Sequence, residues 1–472
     1  MSSAKIAFQA ALEVIREACP PVAESILQEL QAQRSSLKLI ASENYCSYAV
    51  QLAMGNWMTD KYSEGVPGHR FYAGCENVDA IEGLASDLAK KLFGADHAYV
   101  QPHSGADANL VAFWAILTQR VQSKEVARLG KKSLDELTAT EMEQVRQLLV
   151  NQRVMGMGLS SGGHLTHGYR HNVSAKMMQA QSYEVDPATG LLDYGALKRQ
   201  VQKFKPLILI AGYSAYPRLI DFAKMREIAD SVGAVLMADM AHFAGLVAGK
   251  VLQGNFNPVP FAHILTTTTH KTLRGPRGGM VLCKEEFREA VDKGCPMVLG
   301  GPLPHVMAAK AIAFHEALQP TYQQYTRQVV ENAKALAAAL MELGVRVLTG
   351  GTDNHLLLFD VASTFGLTGR QAELVLRQAS LSSNRNSIPG DVNGPWYTSG
   401  IRMGTPAVTT LGMKQREMGK IAELIVKLLR EAKPVPESRA KATVSEKALQ
   451  EARAQVAEIL RHFPLYPELA LK

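Results

Sequence analysis

The chain has 472 residues, of which 47% are hydrophobic and 20% are charged, and its formal net charge is +7 at neutral pH. This length supports a large buried core and two or three domains of ordinary size. The composition is that of an average globular protein, which excludes the disordered, collagen-like and fibrous classes.

The cysteines and the apolar segments indicate a reducing compartment. The five cysteines are an odd number and form no Cys-x-x-Cys pair, so a disulfide framework or a structural zinc site is not expected. The first twenty residues carry charges where a signal peptide needs an apolar stretch. No segment approaches the roughly 18–20 uninterrupted apolar residues that a membrane span requires. We therefore expect a cytoplasmic protein that has no membrane anchor.

The first predicted elements are helices, and an α/β region follows them. Residues 1–40 carry apolar positions at helical spacing, with a break at Pro20 and Pro21. From about residue 95 to 285, short apolar runs rich in β-branched residues alternate with amphipathic stretches. This alternation predicts crossover units and a mostly parallel sheet. The strand candidates are 98–102, 154–159, 206–214, 234–240, 264–269 and 278–283.

Residues 120–153 form a polar, helical stretch that we interpret as a surface insertion. Thr140 and Glu143 have the spacing of a capping box within it. Residues 119–132 hold five basic side chains and one acidic side chain, a local charge of +4. Because no aromatic residues are interleaved with these charges, we do not expect nucleic acid as a partner. An additional RNA-binding role of this cluster stays open.

After about residue 305 the pattern predicts a second, smaller α+β domain. Two long helical patterns, 304–319 and 321–343, precede further apolar runs and a last amphipathic helix. We predict three parts: an N-terminal helical arm, a large α/β domain that contains the insertion, and a small C-terminal α+β domain. Their predicted limits are 1–60, 61–303 and 304–472.

The densest cluster of reactive side chains lies in ILTTTTHKTLRGPRGG, residues 264–279. A predicted strand ends there in hydroxyls, His270 and Lys271, and a glycine-rich turn with Arg274 and Arg277 follows. A lysine beside other cations loses its proton more easily and then acts as a nucleophile. Open α/β sheets bind their ligands at the carboxyl ends of the strands. The position therefore favours a functional lysine over a solvated one.

Asp239 interrupts an otherwise apolar predicted strand, and His242 follows three residues later. A buried carboxylate needs a partner, because isolated burial of its charge is prohibitive. A cationic heterocycle would supply that partner; a structural aspartate that caps the next turn is the alternative.

A third cluster, QPHSGADAN, places Ser104, Gly105 and Ala106 where a strand gives way to a helix. Backbone N–H groups and the positive helix end favour a phosphate there. His164 and His167 lie in a glycine-rich segment, but no third ligand lies nearby, so a metal is not expected. A lysine nucleophile, a buried aspartate and a phosphate turn on one sheet together indicate pyridoxal 5′-phosphate.

Nine segments, in order along the chain, resemble the serine hydroxymethyltransferase family. The resemblance runs from about residue 20 to 430, and TTTTHKT together with GGHLTHG is highly specific. It implies the fold of type I pyridoxal-phosphate enzymes, with a mostly parallel, seven-stranded sheet flanked by helices. The segments are LIASENY (39–45), KYSEGVPGHRFYAG (61–74), QPHSG (101–105), GGHLTHG (162–168), SAYPRLIDFAKMREIAD (214–230), DMAHFAGLVA (239–248), TTTTHKTLRGPRGG (266–279), GGTDNHL (350–356) and TSGIRMGTPA (398–407).

The resemblance implies a role for each matching position around the cofactor. Lys271 would hold the cofactor as an internal aldimine, and Asp239 would pair with the pyridine nitrogen. His164 would stack on the ring face, and His242 would lie on the hydroxyl side of the ring. The resemblance also implies a catalytic role for His270. It implies cofactor binding by Ser104, Gly105, Ala106 and Ser214. Three further residues would reach the phosphate in the site of a neighbouring subunit: Tyr62, Gly300 and Gly301.

The substrate positions follow from the same resemblance. Arg402 would hold the serine carboxylate by a bidentate fork, together with Ser42. Glu64 would move the proton of the serine hydroxyl, and Tyr72 would support it. The positions implied for tetrahydrofolate, the co-substrate, are Leu159, Gly163, Leu165, Asn386, Gly394, Pro395 and Trp396.

The resemblance implies the reversible conversion of L-serine and tetrahydrofolate to glycine and 5,10-methylenetetrahydrofolate. It also implies a homodimer or tetramer with active sites shared between subunits. The basic cluster at 119–132 would serve solubility or the polyanionic tail of folate. A folate-independent aldolase acting on β-hydroxy amino acids such as threonine needs the same lysine, aspartate and arginine and stays open as the alternative. Direct displacement and retro-aldol release also stay open.

One departure from the family concerns the phosphate turn. Family members commonly carry a serine after the Ser-Gly pair, whereas this chain has Ala106 followed by Asp107. One hydroxyl is lost, and an acid lies near a dianion. We expect weaker cofactor retention, by about 1–2 kcal/mol.

Overall fold

The protein's structure, a computed structural model, describes residues 2–469. Its α-helices are α1 (Ser3–Ala18), α2 (Pro20–Arg34), α3 (Tyr48–Leu52), α4 (Glu76–Phe93), α5 (Gly105–Leu117), α6 (Ser123–Arg128), α7 (Ala139–Val150), α8 (Ser174–Met177), α9 (Tyr194–Phe204), α10 (Phe222–Asp230), α11 (Ala244–Ala248), α12 (Arg288–Asp292), α13 (Gly294–Met297), α14 (Pro304–Ala317), α15 (Pro320–Glu342), α16 (Val361–Phe365), α17 (Gly369–Gln378), α18 (Gly394–Tyr397), α19 (Pro406–Thr410), α20 (Gln415–Glu431) and α21 (Glu446–His462).

The strands are β1 (Leu37–Lys38), β2 (Gly65–Val66), β3 (His69–Arg70), β4 (His97–Tyr99), β5 (Arg153–Met157), β6 (Gln179–Tyr183), β7 (Ile208–Gly212), β8 (Val235–Asp239), β9 (Ile264–Thr268), β10 (Gly279–Cys283), β11 (Leu356–Asp360), β12 (Leu381–Ser382), β13 (Asn384–Asn386), β14 (Gly400–Gly404), β15 (Lys433–Pro434) and β16 (Ala442–Thr443).

The described chain divides into two compact units. The central unit comprises residues 44–327, and the terminal unit combines the residues up to 43 with those from 328 on. The domain limits that the sequence predicts, at 60/61 and 303/304, differ from these divisions and stay a prediction.

The central unit contains a seven-stranded sheet in the order β4-β10-β9-β8-β7-β5-β6. Strands β6, β5, β7, β8 and β9 pair in parallel, and β10 is antiparallel to both β9 and β4. Every residue of β7, β8 and β9 is buried, because helices cover both faces of a parallel sheet. This confirms the predicted α/β class and the mostly parallel sheet.

Helix α5 anchors the core of the central unit. Its residues Val111, Phe113 and Ile116 are fully buried and belong to one cluster with Ile208 and Met237 of the sheet. A helix that is apolar on all sides packs inside a protein rather than at its surface. The N-terminus of α5, which Ser104 caps, is thereby fixed against the sheet.

The terminal unit contains an antiparallel sheet in the order β11-β14-β13, and β1 pairs with β12 in parallel. Its core includes Phe359, Ile401, Ile421 and Ile425, of which the last two belong to α20. The break between α1 and α2 falls where the sequence predicts it, because Pro20 opens the first turn of α2.

The predicted capping box at Thr140 and Glu143 is wrong. Helix α7 begins two residues earlier, and Thr138 and Glu141 form the reciprocal pair. The Oγ1 of Thr138 accepts from the Glu141 N–H at 3.3 Å, and the Glu141 carboxylate accepts from the Thr138 N–H at 2.8 Å. The sequence holds two overlapping Thr-x-x-Glu patterns, and the spacing alone does not distinguish them.

Two arginines of the basic cluster are paired with acids. Arg120 lies 2.8 Å from the carboxylate of Glu286, and Arg128 lies 2.6 Å from that of Glu125. Glu125 is already counted in the local charge of +4, so Glu286 is the acid from outside the cluster that neutralises part of this charge.

Among residues 2–469, no helix combines the length and the apolar character needed to cross a membrane. The same part of the chain contains no group of three or more His, Cys, Asp or Glu side chains arranged to hold a metal ion.

Candidate active site

The candidate site lies at the carboxyl edge of β7, β8 and β9, where Asp239 ends β8. The Oδ2 atom of Asp239 accepts from Asn109 Nδ2 at 3.0 Å and from His167 Nε2 at 2.9 Å. Its Oδ1 atom accepts from the Ala241 N–H at 3.1 Å. A carboxylate offers about four acceptor positions, so Oδ1 retains capacity for one further donor.

His167 is a hydrogen-bond donor to Asp239. Its Nδ1 atom accepts from the His164 N–H at 3.3 Å, which leaves the proton on Nε2, facing Asp239. Burial alone would raise the pKa of Asp239, but the hydrogen bond from His167 opposes burial, and the pKa lies well below its usual range. The carboxylate is therefore ionised at every physiological pH.

Asn109 connects this carboxylate to the neighbouring elements. It donates to Thr166 Oγ1 at 2.7 Å as well as to Asp239, and it accepts from Thr266 Oγ1 at 2.5 Å. The sequence patterns did not indicate Asn109, Thr166 or Thr266 as partners in the site, and they suggested no role for His167 other than that of a metal ligand. Asn109 lies in the motif QPHSGADAN, and a polar residue inside an otherwise apolar helix was the available signal.

Lys271 follows the end of β9, as the sequence predicts. Its Nζ atom donates to Thr268 Oγ1 at 3.2 Å, and its carbonyl accepts from Asn44 Nδ2 at 2.9 Å. Thr268 in turn donates to the Ala241 carbonyl at 3.2 Å. The lysine and the turn after Asp239 are thus connected through one threonine.

His270 precedes Lys271 and is neutral. Burial, followed by the positive charges of Lys271 and Arg277, lowers the pKa of His270 to about 3. Its Nδ1 atom accepts from the Gly278 N–H at 3.4 Å, so the proton lies on Nε2. Arg274 lies over the ring of Tyr325, with 4.5 Å from its guanidinium carbon to the ring centre.

Ser104 caps α5 at the carboxyl side of β4. Its Oγ atom accepts from the Asp107 N–H at 3.1 Å and donates to the Asp107 carboxylate at 3.0 Å. Gly279 packs against this turn: a Cβ atom there would lie 2.1 Å from the Ser104 carbonyl oxygen. Gly105 is equally confined, since its Cβ would lie 2.7 Å from Thr268 Cγ2.

These groups fit pyridoxal phosphate. An ionised carboxylate with a vacant acceptor position suits a protonated ring nitrogen, and a primary amine suits the aldehyde. The N-terminus of the 13-residue helix α5 suits a phosphate. Close packing at Gly105 and Gly279 holds the backbone of that turn in place.

Ser214 bonds to the glycine-rich segment after β5, which also carries His164. The Ser214 N–H donates to the Gly162 carbonyl at 2.7 Å, and His164 Nδ1 lies 2.8 Å from Thr166 Oγ1. The buried His242 follows β8, and its carbonyl accepts from Thr272 Oγ1 at 2.8 Å. The structure thus places Ser214 and His164 at the same sheet edge as Asp239.

The hairpin that carries Glu64 is exposed on one side. Tyr62 donates to Glu64 Oε1 at 3.2 Å, and the rings of Tyr62 and Tyr72 meet edge to face at 4.8 Å. The charge of Glu64 raises the pKa of Tyr62. A Cβ at Gly301 would lie 3.4 Å from the Tyr62 ring, so the structure brings Tyr62 and Gly301 together. Gly300 precedes Gly301 in the chain, and its carbonyl accepts from Cys295 Sγ at 3.4 Å.

Arg402 and Ser42 lie in the terminal unit. Arg402 is on β14, where its Nε donates to Asn384 Oδ1 at 3.0 Å, and burial lowers its pKa to about 10. The segment that contains Ser42 runs beside the same strand, because the Gly404 N–H donates to the Leu39 carbonyl at 2.8 Å.

The positions predicted for folate fall into two groups. Leu159, Gly163 and Leu165 lie on the loop after β5, where a Cβ at Gly163 would lie 1.8 Å from the Met157 carbonyl oxygen. Asn386 on β13 and the exposed Trp396 on α18 belong to the terminal unit with Gly394 and Pro395. Two arginines, Arg370 and Arg385, lie 5.4 and 5.9 Å from the centre of the Trp396 ring.

Comparisons with known proteins identify a family. The sequence model described as serine hydroxymethyltransferase matches residues 15–130 and 139–425, so most of the predicted insertion lies within the match. A protein of Mycolicibacterium smegmatis with this name is 58% identical over 469 residues, which cover 99% of this chain and 96% of the relative. Proteins of the same name from Treponema pallidum and Cutibacterium acnes are 57% and 54% identical, over 99% and 98% of this chain and 82% and 96% of theirs.

Proposed function

The chain belongs to the serine hydroxymethyltransferase family, and we propose that it converts L-serine and tetrahydrofolate reversibly to glycine and 5,10-methylenetetrahydrofolate with the residues at the carboxyl edge of its central sheet. Family membership makes it a pyridoxal-phosphate-dependent glycine hydroxymethyltransferase that uses tetrahydrofolate as co-substrate. The observation that supports this assignment most directly is the ionised, buried carboxylate of Asp239 on the strand beside the one that leads to Lys271.

Three groups of the central unit would hold the cofactor. Lys271 would bind its aldehyde carbon, Asp239 its ring nitrogen, and the Ser104-Gly105 turn its phosphate. When bound, the cofactor accepts the electron pair that bond cleavage leaves on the substrate α carbon. Asp239 would sustain the positive ring charge on which this depends, since its low pKa keeps it ionised. His164 would cover the ring face, and His242 and Ser214 would border it.

Neutral His270 would act next to Lys271 as a hydrogen-bond donor through Nε2. Its low pKa leaves no positive charge to compete with the lysine ammonium. Arg402, with Ser42, would bind the substrate carboxylate and so orient the bond to be cleaved. Glu64 would take the proton of the substrate hydroxyl, with its Oε1 atom held by the hydrogen bond from Tyr62.

We also propose that the enzyme is a homodimer in the cytoplasm. The side chains of Trp57 and Phe71 are 90% and 67% exposed, and Tyr62 is half exposed. Large apolar side chains so close in sequence are typical of a surface that another molecule covers. The cytoplasmic location is supported by the five free cysteines.

The decisive assay measures serine cleavage with and without tetrahydrofolate. We expect the folate to raise the rate of serine cleavage by about tenfold or more, and we expect Lys271→Ala to lose both the activity and the absorbance band of the bound cofactor. An exposed lysine outside the basic cluster, Lys198, gives the matched control, Lys198→Ala, which should behave as the wild type. Equal cleavage of serine with and without the folate would contradict the proposal and indicate an aldolase instead.

A further inference from the structure

Lys310 on α14 is a buried cation that the proposed reaction does not use. Only 1% of its surface is exposed. Its Nζ atom donates to three backbone carbonyls, those of Val100 at 2.6 Å, Pro102 at 2.9 Å and Gly279 at 2.8 Å. An ammonium has three donors, so this geometry satisfies all of them with neutral acceptors.

The three carbonyls surround the turn that leads to Ser104. Val100 and Pro102 lie between β4 and α5, and Gly279 opens β10. The Gly279 N–H also donates to the Pro102 carbonyl at 2.9 Å, and Gly279 packs directly on the Ser104 carbonyl. Lys310 therefore joins the two segments that shape the back of this turn.

Burying an ammonium is costly unless its donors are satisfied, and here three carbonyls satisfy them. Burial lowers the pKa of Lys310 to about 7, against the opposing effect of the Glu82 and Asp107 charges. A neutral amine has only two donors, so one of the three hydrogen bonds to the carbonyls would then be lost. The charged form is the one that holds both segments at once.

We propose that Lys310 is a positioning residue that fixes the Ser104-Gly105 turn from behind, so that its N–H groups are preorganised for the cofactor phosphate. This inference rests on the proposed phosphate role of that turn. Lys310 would act through the backbone, because it bonds to carbonyls and not to the N–H groups of the turn. Preorganised donors bind an anion without the cost of ordering the loop at the moment of binding.

The test compares pyridoxal phosphate with pyridoxal, which lacks the phosphate, in fluorescence titrations of the cofactor-free protein. Lys310→Met should weaken binding of pyridoxal phosphate about tenfold or more and change binding of pyridoxal less than about twofold, because only the phosphate needs the turn. The affinity ratio is the affinity for pyridoxal phosphate divided by the affinity for pyridoxal. Phe314→Leu, at a buried position one turn farther along α14, is the matched control and should leave this ratio unchanged.

Ser104→Ala separates the inference from the proposal on which it rests. If Ser104→Ala lowers the affinity ratio and Lys310→Met does not, the inference on Lys310 is overturned and the phosphate site stands. If Ser104→Ala leaves the ratio unchanged, the proposed phosphate site itself is wrong, and the inference is overturned with it. Equal weakening of both ligands by Lys310→Met would show a purely structural role and also overturn the inference.

A second variant decides the matter where Lys310→Met does not fold. In Gly278→Ala the new methyl carbon would lie 2.6 Å from Lys310 Cε and displace the ammonium without removing it. The affinity ratio should fall in the same direction as for Lys310→Met. An unchanged ratio in folded Gly278→Ala would contradict the inference.

Discussion

Two polar networks of the central unit are built in opposite ways. At the sheet edge, Asp239 and its partner Asn109 are buried, and their bonds connect β8, β9, α5 and the loop after β5. Beside the hairpin of β2 and β3, Tyr62 and Tyr72 are exposed and Glu64 is partly exposed. Arg70 binds the backbone carbonyls on both sides of Glu64. The first network is buried within one chain. The second leaves the side chains of Tyr62 and Tyr72 exposed, where another molecule can contact them.

The hairpin network centres on Arg70. It donates to the Asp79 carboxylate at 2.8 Å, to Glu82 at 2.5 Å and to the Ser63 and Gly65 carbonyls, both at 2.8 Å. Gln101 reaches the same Gly65 carbonyl at 2.8 Å. The backbone on either side of Glu64 is thereby fixed, although the Glu64 side chain is partly exposed to solvent. A rigid support behind an exposed face suits a site that a second subunit completes.

The largest effect should come from the sheet edge. We expect Asp239→Asn to lower kcat about 10²–10³-fold, because an amide cannot sustain the positive ring charge while its shape preserves the bonds to His167 and Asn109. Steady-state kinetics at saturating cofactor would measure it. Asp360→Asn, a buried aspartate that ends β11 in the terminal unit, is the control and should retain nearly full kcat. Equal losses in both variants would indicate general damage rather than a role for Asp239.

Arg70→Met should break the hairpin network. It leaves Glu82 buried without its cation, and we expect a loss of about 3 kcal/mol in the free energy of unfolding, measured by urea denaturation. Burial already raises the pKa of Glu82 although Arg70 lies beside it. Adding Glu82→Gln to Arg70→Met should recover part of the loss. A double variant as unstable as the sum of the single ones would contradict this coupling.

The neutral His270 predicts a dependence of stability on pH. Its pKa is about 3 in the folded protein and about 6.5 in the unfolded chain, so between these values the unfolded state binds more protons. Stability should therefore fall as the pH decreases from about 6.5, by about 1 kcal/mol per pH unit from this residue. In His270→Gln this part of the slope should vanish when unfolding of the cofactor-free protein is measured between pH 6.5 and 4.5. An unchanged slope would show that His270 is not the group responsible.

The smallest effect concerns the phosphate turn. Ser104 already donates its hydroxyl proton to Asp107, so a phosphate competes with that carboxylate for the donor. Ala106→Ser would add a second hydroxyl, and we expect pyridoxal phosphate to bind more tightly by about 1–2 kcal/mol. Titration of the cofactor-free protein measures the change, and Ala106→Gly, which adds no donor, is the control. Equal affinity in Ala106→Ser and the wild type would refute the expectation.

The sequence predicted the parts of the site that belong to one segment. An apolar run followed by hydroxyls, His270 and Lys271 indicates a strand and the reactive residues at its end, because the alternation of strands and helices is a local property. It did not reveal Asn109 as a partner of Asp239, 130 residues away. Nor did it reveal Lys310, whose carbonyl partner Val100 is 210 residues distant. Nothing in a single sequence specifies which buried polar groups will meet across such separations.

The sequence by itself determined the α/β class, the order of most elements and the family, since composition, periodicity and motif residues are written along the chain. Only the tertiary structure decided the hydrogen-bond partners of Asp239, the neutral state of His270, the choice of Thr138 over Thr140 as the helix cap, and the burial of the Lys310 ammonium against three backbone carbonyls. The physical reason is that burial makes every polar group depend on its neighbours in space, and those neighbours are set by the packing of the whole unit.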